Sequence, residues 1–329
     1  MRVCIVGAGA IGGLLGARLA LAGEQVSVLA RGDHLAAIRS KGLQLVEPDG
    51  SVAVADDVNC SDDLTHLGEQ DLVLLAVKAH QISQIADRIP SLYHASTVVM
   101  TLQNGIPWWF FQKFPGPFEG HRLQVLDPEG SLARHVPADR IIGCIAYPAA
   151  QRDAPGVIRL VEGDRFPVGE LDGQRSDRVK AIAEALTAAG FVSRVVTDLR
   201  SQLWVKAWGN LAMNPISALT GATLAQIAHH PASRALAVRM MSEAAEIAKA
   251  LGLNVRVSIE QRIEGAAKIG DHKTSMLQDV EAGNALEIDA LVGAFVELGN
   301  LVKVPVPTTE AVLALVSLLD SLRDPLRAR

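Results

Sequence analysis

The run Gly7-Ala8-Gly9-Ala10-Ile11-Gly12 is the feature that most narrows the fold of this chain. It follows an apolar stretch, residues 2–6, and it leads into an amphipathic one. In a strand–turn–helix setting the first glycine permits a tight turn, the second lets a pyrophosphate approach, and the third lets helix and strand pack closely. We therefore expect residues 7–12 to bind a dinucleotide. A glycine-rich turn without a ligand is the alternative.

Apolar runs and amphipathic stretches alternate through the first part of the chain, as in a parallel sheet covered by helices. The predicted strands are 2–6, 25–29, 71–77, 97–101, 141–147, 157–161, 166–170 and 192–196, with a helix at 176–189. The stretch from Pro107 to Ala138, rich in Pro, Gly and aromatic residues, predicts a long, partly ordered loop. An α/β, Rossmann-type dinucleotide-binding domain is thus expected over residues 1–197.

After Asp198 the pattern changes, because apolar residues recur every three or four positions. This spacing predicts helices at 203–219, 232–251, 276–280, 288–298 and 309–322, with Pro305 and Pro307 in a turn before the last. The 329 residues exceed what one hydrophobic core usually serves. Residues 198–329 are therefore expected to form an all-α C-terminal domain that binds the substrate.

Composition excludes several classes of partner. A formal charge of -5 and a pI of about 6.0 give no general attraction to nucleic acid or to anionic lipid. The 3 cysteines are scattered, so neither a disulfide framework nor a metal site is predicted. No apolar run reaches roughly 20 residues, and the N-terminal one is too short for a signal peptide. We expect a soluble, cytoplasmic protein with no membrane partner, and its assembly stays open, a homodimer included.

Arg31 lies just past the second predicted strand, where NAD-dependent enzymes usually place an acidic residue for the ribose 2′-hydroxyl. A guanidinium can bind a 2′-phosphate through paired hydrogen bonds, so NADPH is the expected cofactor. Two other interpretations stay open. Arg31 is an ordinary surface residue, or Asp33 binds the ribose and weakens the preference.

One predicted helix of the second domain carries a polar stripe. Lys206, Asn210 and Asn214 are spaced by four residues, so they share one face of a helix that is otherwise apolar. Such groups are costly to bury unless a polar ligand faces them. Lys206 could supply the positive charge and the proton that carbonyl reduction requires. Alternatively, its stem covers Trp204 or Trp208 and its ammonium lies in water.

Two polar segments further along have ordinary structural explanations. Ser275 is predicted to cap a helix, with Gln278 completing a capping box. Glu287 is predicted to lie in the first turn of the next helix, where negative charge is favourable.

Taken together, these segments resemble the 2-dehydropantoate 2-reductase (ketopantoate reductase) family over nearly the whole chain. The resemblance rests on the glycine turn, on Arg31, and on Val77-Lys78-Ala79, Gln103-Asn104-Gly105, Lys206 with Asn210 and Asn214-Pro215, Ser275 to Asp279, and Glu287 to Asp289. It implies an oxidoreductase of pantothenate and coenzyme A biosynthesis. Such an enzyme uses NADPH to reduce the C2 carbonyl of 2-dehydropantoate, giving pantoate.

The resemblance also implies a role for each polar residue. Lys206 would be the general acid, with Glu287 orienting the substrate or supporting the lysine. The other side chains would bind ligands, the substrate through Asn104, Asn210, Asn214 and Ser275 and the cofactor through Lys78 and Asn104.

Two departures from the family pattern leave the substrate open. The aromatic stretch at 107–138 is longer than its usual counterpart, and the region from Leu219 to Leu224 lacks an asparagine that some members use for substrate. The alternatives are another 2-keto acid, a β-hydroxyacid dehydrogenase activity, or a dinucleotide sensor without catalysis. Residues 108–111 are interpreted either as a lid over the substrate or as packing.

Overall fold

The computed structural model of the protein describes residues 1–323. Contacts group the chain into two compact units. The first contains residues 1–103, 111–122 and 129–199, and the second contains residues 104–110, 123–128 and the chain from residue 200 onward. The units are therefore not continuous segments, because two short pieces that precede residue 129 belong with the helical part.

In the first unit, strands and short helices alternate along the chain. Its strands are β1 (Arg2–Val6), β2 (Gln25–Leu29), β3 (Leu43–Val46), β4 (Val52–Ala55), β5 (Val58–Ser61), β6 (Gln70–Leu75), β7 (Tyr93–Thr101), β8 (Ile141–Cys144), β9 (Ala149–Ala154), β10 (Val157–Glu162) and β11 (Val168–Glu170). Its helices are α1 (Ala10–Leu21), α2 (Gly32–Lys41), α3 (Ala79–Ile82), α4 (Ser131–His135) and α5 (Asp177–Ala188).

The main sheet of this unit has the strand order β11-β8-β7-β6-β1-β2-β5. Neighbouring strands are parallel except for β11, which is antiparallel to β8. The chain builds the sheet outward from β1, first through β2 and β5 and then, on the other side, through β6 and β7. This reversal of strand order at β1 places the glycine turn at the carboxyl edge where open α/β sheets bind ligands.

A second sheet, of order β4-β3-β10-β9, packs against helix α1. Its central pair, β3 and β10, is parallel and joins Gln44 to Val157 across more than a hundred residues. Gly13 of α1 accommodates this sheet, since a Cβ there would lie only 2.6 Å from the Ile158 side chain. The sequence pattern missed β3, β4, β5 and β9. Nothing local marks the pairing of β3 with β10 over such a distance, although β4 and β9 pair with their neighbours in the chain as antiparallel hairpins.

The predicted strand at 192–196 is wrong. The structure has only isolated bridges there, from Val192 to Arg165 and from Val195 to Val168. The Ser193 hydroxyl donates to the Phe166 carbonyl at 2.8 Å, and this carbonyl is the acceptor that a continuous ladder would use. A local side-chain hydrogen bond therefore replaces part of the strand pairing.

All regular secondary structure of the second unit, within the described residues, is helical. Its helices are α6 (Leu199–Thr220), α7 (Leu224–His229), α8 (Pro231–Ala250), α9 (Ile259–Ile269), α10 (Ser275–Glu281), α11 (Ala294–Val302) and α12 (Pro307–Arg323), with a π-helical turn at Asp289–Gly293. The predicted fold class, a Rossmann-type α/β part followed by an all-α part, is confirmed. No helix between residues 1 and 323 combines the length and apolar character that a bilayer crossing needs.

The aromatic stretch is a partly ordered loop, as predicted. Trp108, Trp109, Phe110 and Phe111 are all buried, and the stretch continues into the short helix α4. In the second unit, Phe110 and Phe295 pack on Trp204 with ring centroids 6.0 and 5.0 Å away. These aromatic side chains act as packing in the structure, which favours that interpretation over a lid.

Candidate functional site

Two glycines of the turn after β1 are required by the packing of the protein itself. Gly7 has a φ of +104°, and a Cβ on it would lie 2.6 Å from the Val77 side chain. A Cβ on Gly12 would overlap the Gly7 carbonyl oxygen and would lie 2.8 Å from the Ala76 Cβ. Larger residues at these positions would push the turn away from the strand end, so both glycines have a structural explanation.

Gly9 has neither of these explanations. Its φ is -66°, which any residue adopts, and no atom lies within 4 Å of the place where a Cβ would be. It is exposed and forms the N-cap of α1, at the positive end of the helix dipole. A small residue there leaves open space beside the first N–H groups of a helix, which is the arrangement that binds phosphate.

Arg31 and the glycine turn lie at neighbouring strand ends. Arg31 follows β2 and is the exposed N-cap of α2, while the Ala8 N–H donates to the carbonyl of Leu29, the last residue of β2, at 3.3 Å. Within residues 1–323 the Arg31 side chain makes neither a hydrogen bond nor an ion pair. The exposed Asp33 lies in the first turn of α2. An unengaged arginine thus follows the strand end that contacts the turn.

Gln103 anchors the segment that carries Lys78. Its side-chain amide donates to the Leu75 carbonyl at 2.7 Å and to the Val77 carbonyl at 3.2 Å, both at the carboxyl end of β6. The half-buried Lys78 follows directly, and its N–H donates to Gln81 at 3.2 Å. Sequence reasoning singled out Gln103 only as part of a motif and missed this anchoring role.

The polar stripe of helix α6 exists as the spacing predicted. Lys206 and Asn210 are half-buried and Asn214 is buried, among neighbours that are almost all apolar. The indole N–H of Trp208 donates to the Met241 carbonyl at 2.7 Å, so this tryptophan is committed to helix packing. Trp204 is likewise fully buried. The interpretation in which the Lys206 ammonium is merely solvated is not supported, because that group is bound to another part of the site.

Lys206 and Asn104 are in direct contact, although 102 residues separate them. The Lys206 Nζ donates to the Asn104 Oδ1 at 2.7 Å. The segment after Asn104 is fixed in turn, since the Ile106 N–H donates to the Ala290 carbonyl at 2.9 Å. Gly105 has a φ of +82°, and a Cβ there would overlap the Ala290 carbonyl. The glycine of this motif therefore allows the Asn104 segment to dock on the π-helical turn.

Asn214 and Ser275 form a second contact within this unit. The Asn214 Nδ2 donates to the Ser275 Oγ at 3.3 Å. The prediction that Ser275 caps its helix is wrong, because the N-cap is Thr274, whose hydroxyl accepts the Leu277 N–H. Ser275 is instead the exposed first residue of α10. Its hydroxyl is therefore available to a ligand, in line with the role that the resemblance implied.

Glu287 lies two residues before the π-helical turn, separated from it by Ile288. It is half-buried, and its carbonyl accepts the Leu291 N–H at 3.2 Å. The same turn supplies the Ala290 carbonyl that holds the segment after Asn104, and π-helical turns are frequent at functional sites. The structure thus links the segments of Asn104, Lys206 and Glu287, while the role of the Glu287 carboxylate stays a prediction.

Comparison with known families covers both parts of the chain. The model of the family described as ketopantoate reductase PanE/ApbA matches residues 3–173, and the model of its C-terminal part matches residues 198–320. The chain belongs to the ketopantoate reductase family. Membership confirms the resemblance read from the motifs, and the family consists of dinucleotide-dependent oxidoreductases.

Individual members of the ketopantoate reductase family match over almost their full length. A 2-dehydropantoate 2-reductase from Mesorhizobium japonicum is 51% identical over 317 residues, which cover 96% of this chain and 97% of that protein. The solved structure of a proposed ketopantoate reductase from Ralstonia solanacearum MolK2 is 42% identical, with a TM-score of 0.93 and coverage of 98% of both chains. The 2-dehydropantoate 2-reductase of Geobacter metallireducens GS-15 is 28% identical, with a TM-score of 0.85 and coverage of 97% and 99%.

Proposed function

We propose that this protein reduces 2-dehydropantoate to pantoate with NADPH and that Lys206 is the general acid. In this reaction a hydride adds to the C2 carbonyl carbon and a proton adds to the carbonyl oxygen. When bound, the reduced nicotinamide supplies the hydride. The proton and the positive charge beside the developing alkoxide then have to come from the protein.

The hydrogen bond between Lys206 and Asn104 carries this proposal. Lysine has three N–H donors, so a contact at 2.7 Å to a neutral carboxamide directs the ammonium without neutralising it. A directed positive charge is what stabilises an oxygen that becomes an alkoxide. Asn104 would thus position the acid, and it would also contact the substrate.

Asn210, Asn214 and Ser275 are proposed to bind the polar groups of the 2-keto acid. The half-buried carboxamide of Asn210 makes no hydrogen bond within residues 1–323. A half-buried carboxamide with no partner among those residues is available to donate to and accept from a ligand. Glu287 is proposed to orient the substrate or to support Lys206, because it lies at the turn that holds the Asn104 segment.

NADPH is proposed to bind through the turn at residues 7–12, that is, Gly7, Ala8, Gly9, Ala10, Ile11 and Gly12. The open space at Gly9 supports a close approach of the pyrophosphate. The exposed Arg31 supports selection of the 2′-phosphate. Lys78 and Asn104 are added to the cofactor contacts by the family resemblance.

The remaining proposals concern the protein as a whole. The division into residues 1–197 and 198–329, for cofactor and substrate respectively, is supported by the change from α/β to helical structure at α6. A cytoplasmic location and a place in pantothenate and coenzyme A biosynthesis follow from the proposed reaction. A homodimer is kept as a hypothesis for the assembly.

The test is NADPH oxidation by the purified protein with a panel of 2-keto acids, and with NADH in parallel. We expect 2-dehydropantoate to give the highest kcat/KM, and NADPH to be preferred over NADH. Higher activity with an unbranched or a bulkier 2-keto acid would overturn the substrate assignment. Tight NADPH binding with no turnover on any 2-keto acid would support a sensor instead.

A further inference from the structure

His34 connects the glycine turn to a distant β-hairpin. Its Nε2 lies 2.7 Å from the Ala8 carbonyl oxygen, and its Nδ1 lies 2.8 Å from the Gly156 nitrogen. His34 is 7% exposed and lies in the first turn of α2, three residues after Arg31. One imidazole ring thus joins the glycine turn to Gly156, which lies 122 residues after His34 in sequence.

The two partners determine the protonation state of His34. The Ala8 carbonyl can only accept a hydrogen bond and the Gly156 N–H can only donate one. Nε2 therefore carries the proton and donates, while Nδ1 is unprotonated and accepts, which is the neutral form of the ring. Gly156 is held through its carbonyl as well, which accepts the Gln44 N–H at 2.8 Å. His34 is thus supported by a rigid part of the second sheet.

The Ala8 carbonyl belongs to the same peptide unit as the Gly9 N–H. A trans peptide is planar, with its carbonyl and its N–H pointing in opposite directions. Holding the carbonyl toward His34 therefore turns the Gly9 N–H away from His34. That N–H donates to no atom of residues 1–323, and Gly9 is the position with open space around it.

We propose that His34 is a positioning residue for the dinucleotide, because it holds the Ala8–Gly9 peptide with the Gly9 N–H directed at the pyrophosphate. A positioning residue is needed because Gly9 has no side chain. A peptide next to glycine rotates with little steric resistance, so the turn alone does not fix the direction of this N–H. The inference rests on the proposed binding of a dinucleotide at this turn, and it adds a residue outside the glycine motif.

The charged groups around His34 influence the pH at which its ring gains a second proton. Residues 7–16 of the turn and helix α1 include no titratable side chain. On the hairpin, Arg152 acts on His34 electrostatically, while Asp153 and Arg159 pair with each other. Arg31 and Asp33 flank His34 on its own helix. Burial lowers the pKa of His34 from its ordinary value, and Arg152 lowers it further, whereas the hydrogen bond to Ala8 opposes both.

Two substitutions separate positioning from mere packing. His34→Leu fills the space but removes both hydrogen bonds, whereas the amide of His34→Gln can still donate to the Ala8 carbonyl. We expect His34→Leu to weaken NADPH binding roughly tenfold, the effect of about one hydrogen bond, and His34→Gln to restore most of it. The KM for the keto acid, measured at saturating NADPH, should stay within about twofold because the helical unit is untouched.

His94→Leu is the matched control. His94 pairs with Asp71 at 3.0 Å, at the amino ends of β6 and β7 and therefore at the opposite edge of the sheet from the glycine turn. Its loss should leave the dinucleotide affinity unchanged. Equal NADPH affinity of wild type, His34→Leu and His34→Gln would overturn the inference. A wild type that binds no dinucleotide at all would instead refute the proposed cofactor role.

A second measurement needs no substitution, in case His34→Leu fails to fold. A proton added at Nδ1 would face the Gly156 N–H and break the connection. Wild-type affinity for NAD⁺ should therefore fall several-fold between about pH 7.5 and about pH 5, below the ordinary histidine pKa. NAD⁺ is chosen because a 2′-phosphate itself titrates near pH 6. His34→Gln should lack the fall, and an identical fall in both proteins would count against the inference.

Discussion

The glycine turn of the first unit and the polar stripe of the second unit are specified in different ways. The motif of the turn consists of six adjacent residues and is recognised by its missing side chains, although Ala76 and Val77 are the neighbours that leave no room for them. The stripe depends on side chains that are present, and its partners Asn104 and Ser275 lie 102 and 61 residues away in sequence. One short motif therefore predicts the binding of a dinucleotide, whereas the residues proposed for the substrate site come together only when the chain folds.

The glycine motif contains residues that the fold requires and one residue, Gly9, that is proposed to serve a ligand. Gly12 is surrounded by its own protein, with the Gly7 carbonyl and the Ala76 side chain against it. Gly9 faces open space. Glycine is therefore needed at position 12 for packing and is proposed at position 9 for ligand binding. Substitutions that measure stability and NADPH affinity separately should distinguish these two roles.

The largest effect is expected for Gly12→Ala. A methyl group there overlaps a backbone carbonyl that cannot move without the strand, so we expect the free energy of unfolding to fall by about 3 kcal/mol or more. Urea denaturation measures this change. Gly13→Ala is a poor control because Ile158 is close. Gly265→Ala is the matched control, since Gly265 is also a helical glycine and no atom lies within 4 Å of the place where its Cβ would be.

Gly9→Ala should have the opposite profile. No atom opposes the new methyl group, so the free energy of unfolding should change by less than about 1 kcal/mol, the scale of helix N-cap preferences. NADPH affinity should nevertheless fall about tenfold or more, because the methyl group occupies the space needed by the pyrophosphate. Unchanged NADPH affinity would mean that no ligand approaches this position.

Asn104→Ala tests whether the long-range contact positions the acid. Without it the Lys206 ammonium loses its 2.7 Å partner, and we expect kcat/KM for the keto acid to fall about thirtyfold, near 2 kcal/mol. Asn300→Ala, at an exposed site of α11, is the matched control. An Asn104 variant as active as this control would remove the positioning role.

Arg31→Ala tests whether this arginine selects NADPH over NADH. Loss of a charge-assisted contact to the 2′-phosphate should lower the preference for NADPH over NADH by roughly tenfold, through NADPH alone. Affinity for NADH is the internal control, since it has no 2′-phosphate. A selectivity that survives the substitution would assign Arg31 to the ordinary protein surface.

The smallest effect is expected for Ser275→Ala. Its hydroxyl accepts from Asn214 at 3.3 Å and is exposed, so only one weak contact and one proposed substrate contact are lost. We expect the KM for the keto acid to rise about threefold to tenfold with little change in kcat. Thr274→Ala is the contrasting variant, because it should lower stability through loss of the helix cap and leave KM unchanged.

The sequence predicted those parts of the molecule that a short pattern defines. The glycine turn, the stripe on α6 and the two-part fold class are of this kind. The pairing of β3 with β10 and the anchoring roles of Gln103 and His34 were missed, because their partners lie far away along the chain. The cap of α10 was placed one residue too late, since Thr274 and Ser275 are adjacent hydroxyl residues and sequence alone does not separate them.

The role of Lys206 as general acid is tested most directly by measuring kcat/KM and the Kd for NADPH on the same preparations of Lys206→Ala. We expect its kcat/KM for 2-dehydropantoate to fall by about two to four orders of magnitude, as for loss of a general acid, while the Kd for NADPH stays that of the wild type. Lys249→Ala, at an exposed site of α8, should match the wild type in both. Full turnover by Lys206→Ala would contradict the assignment of the general acid.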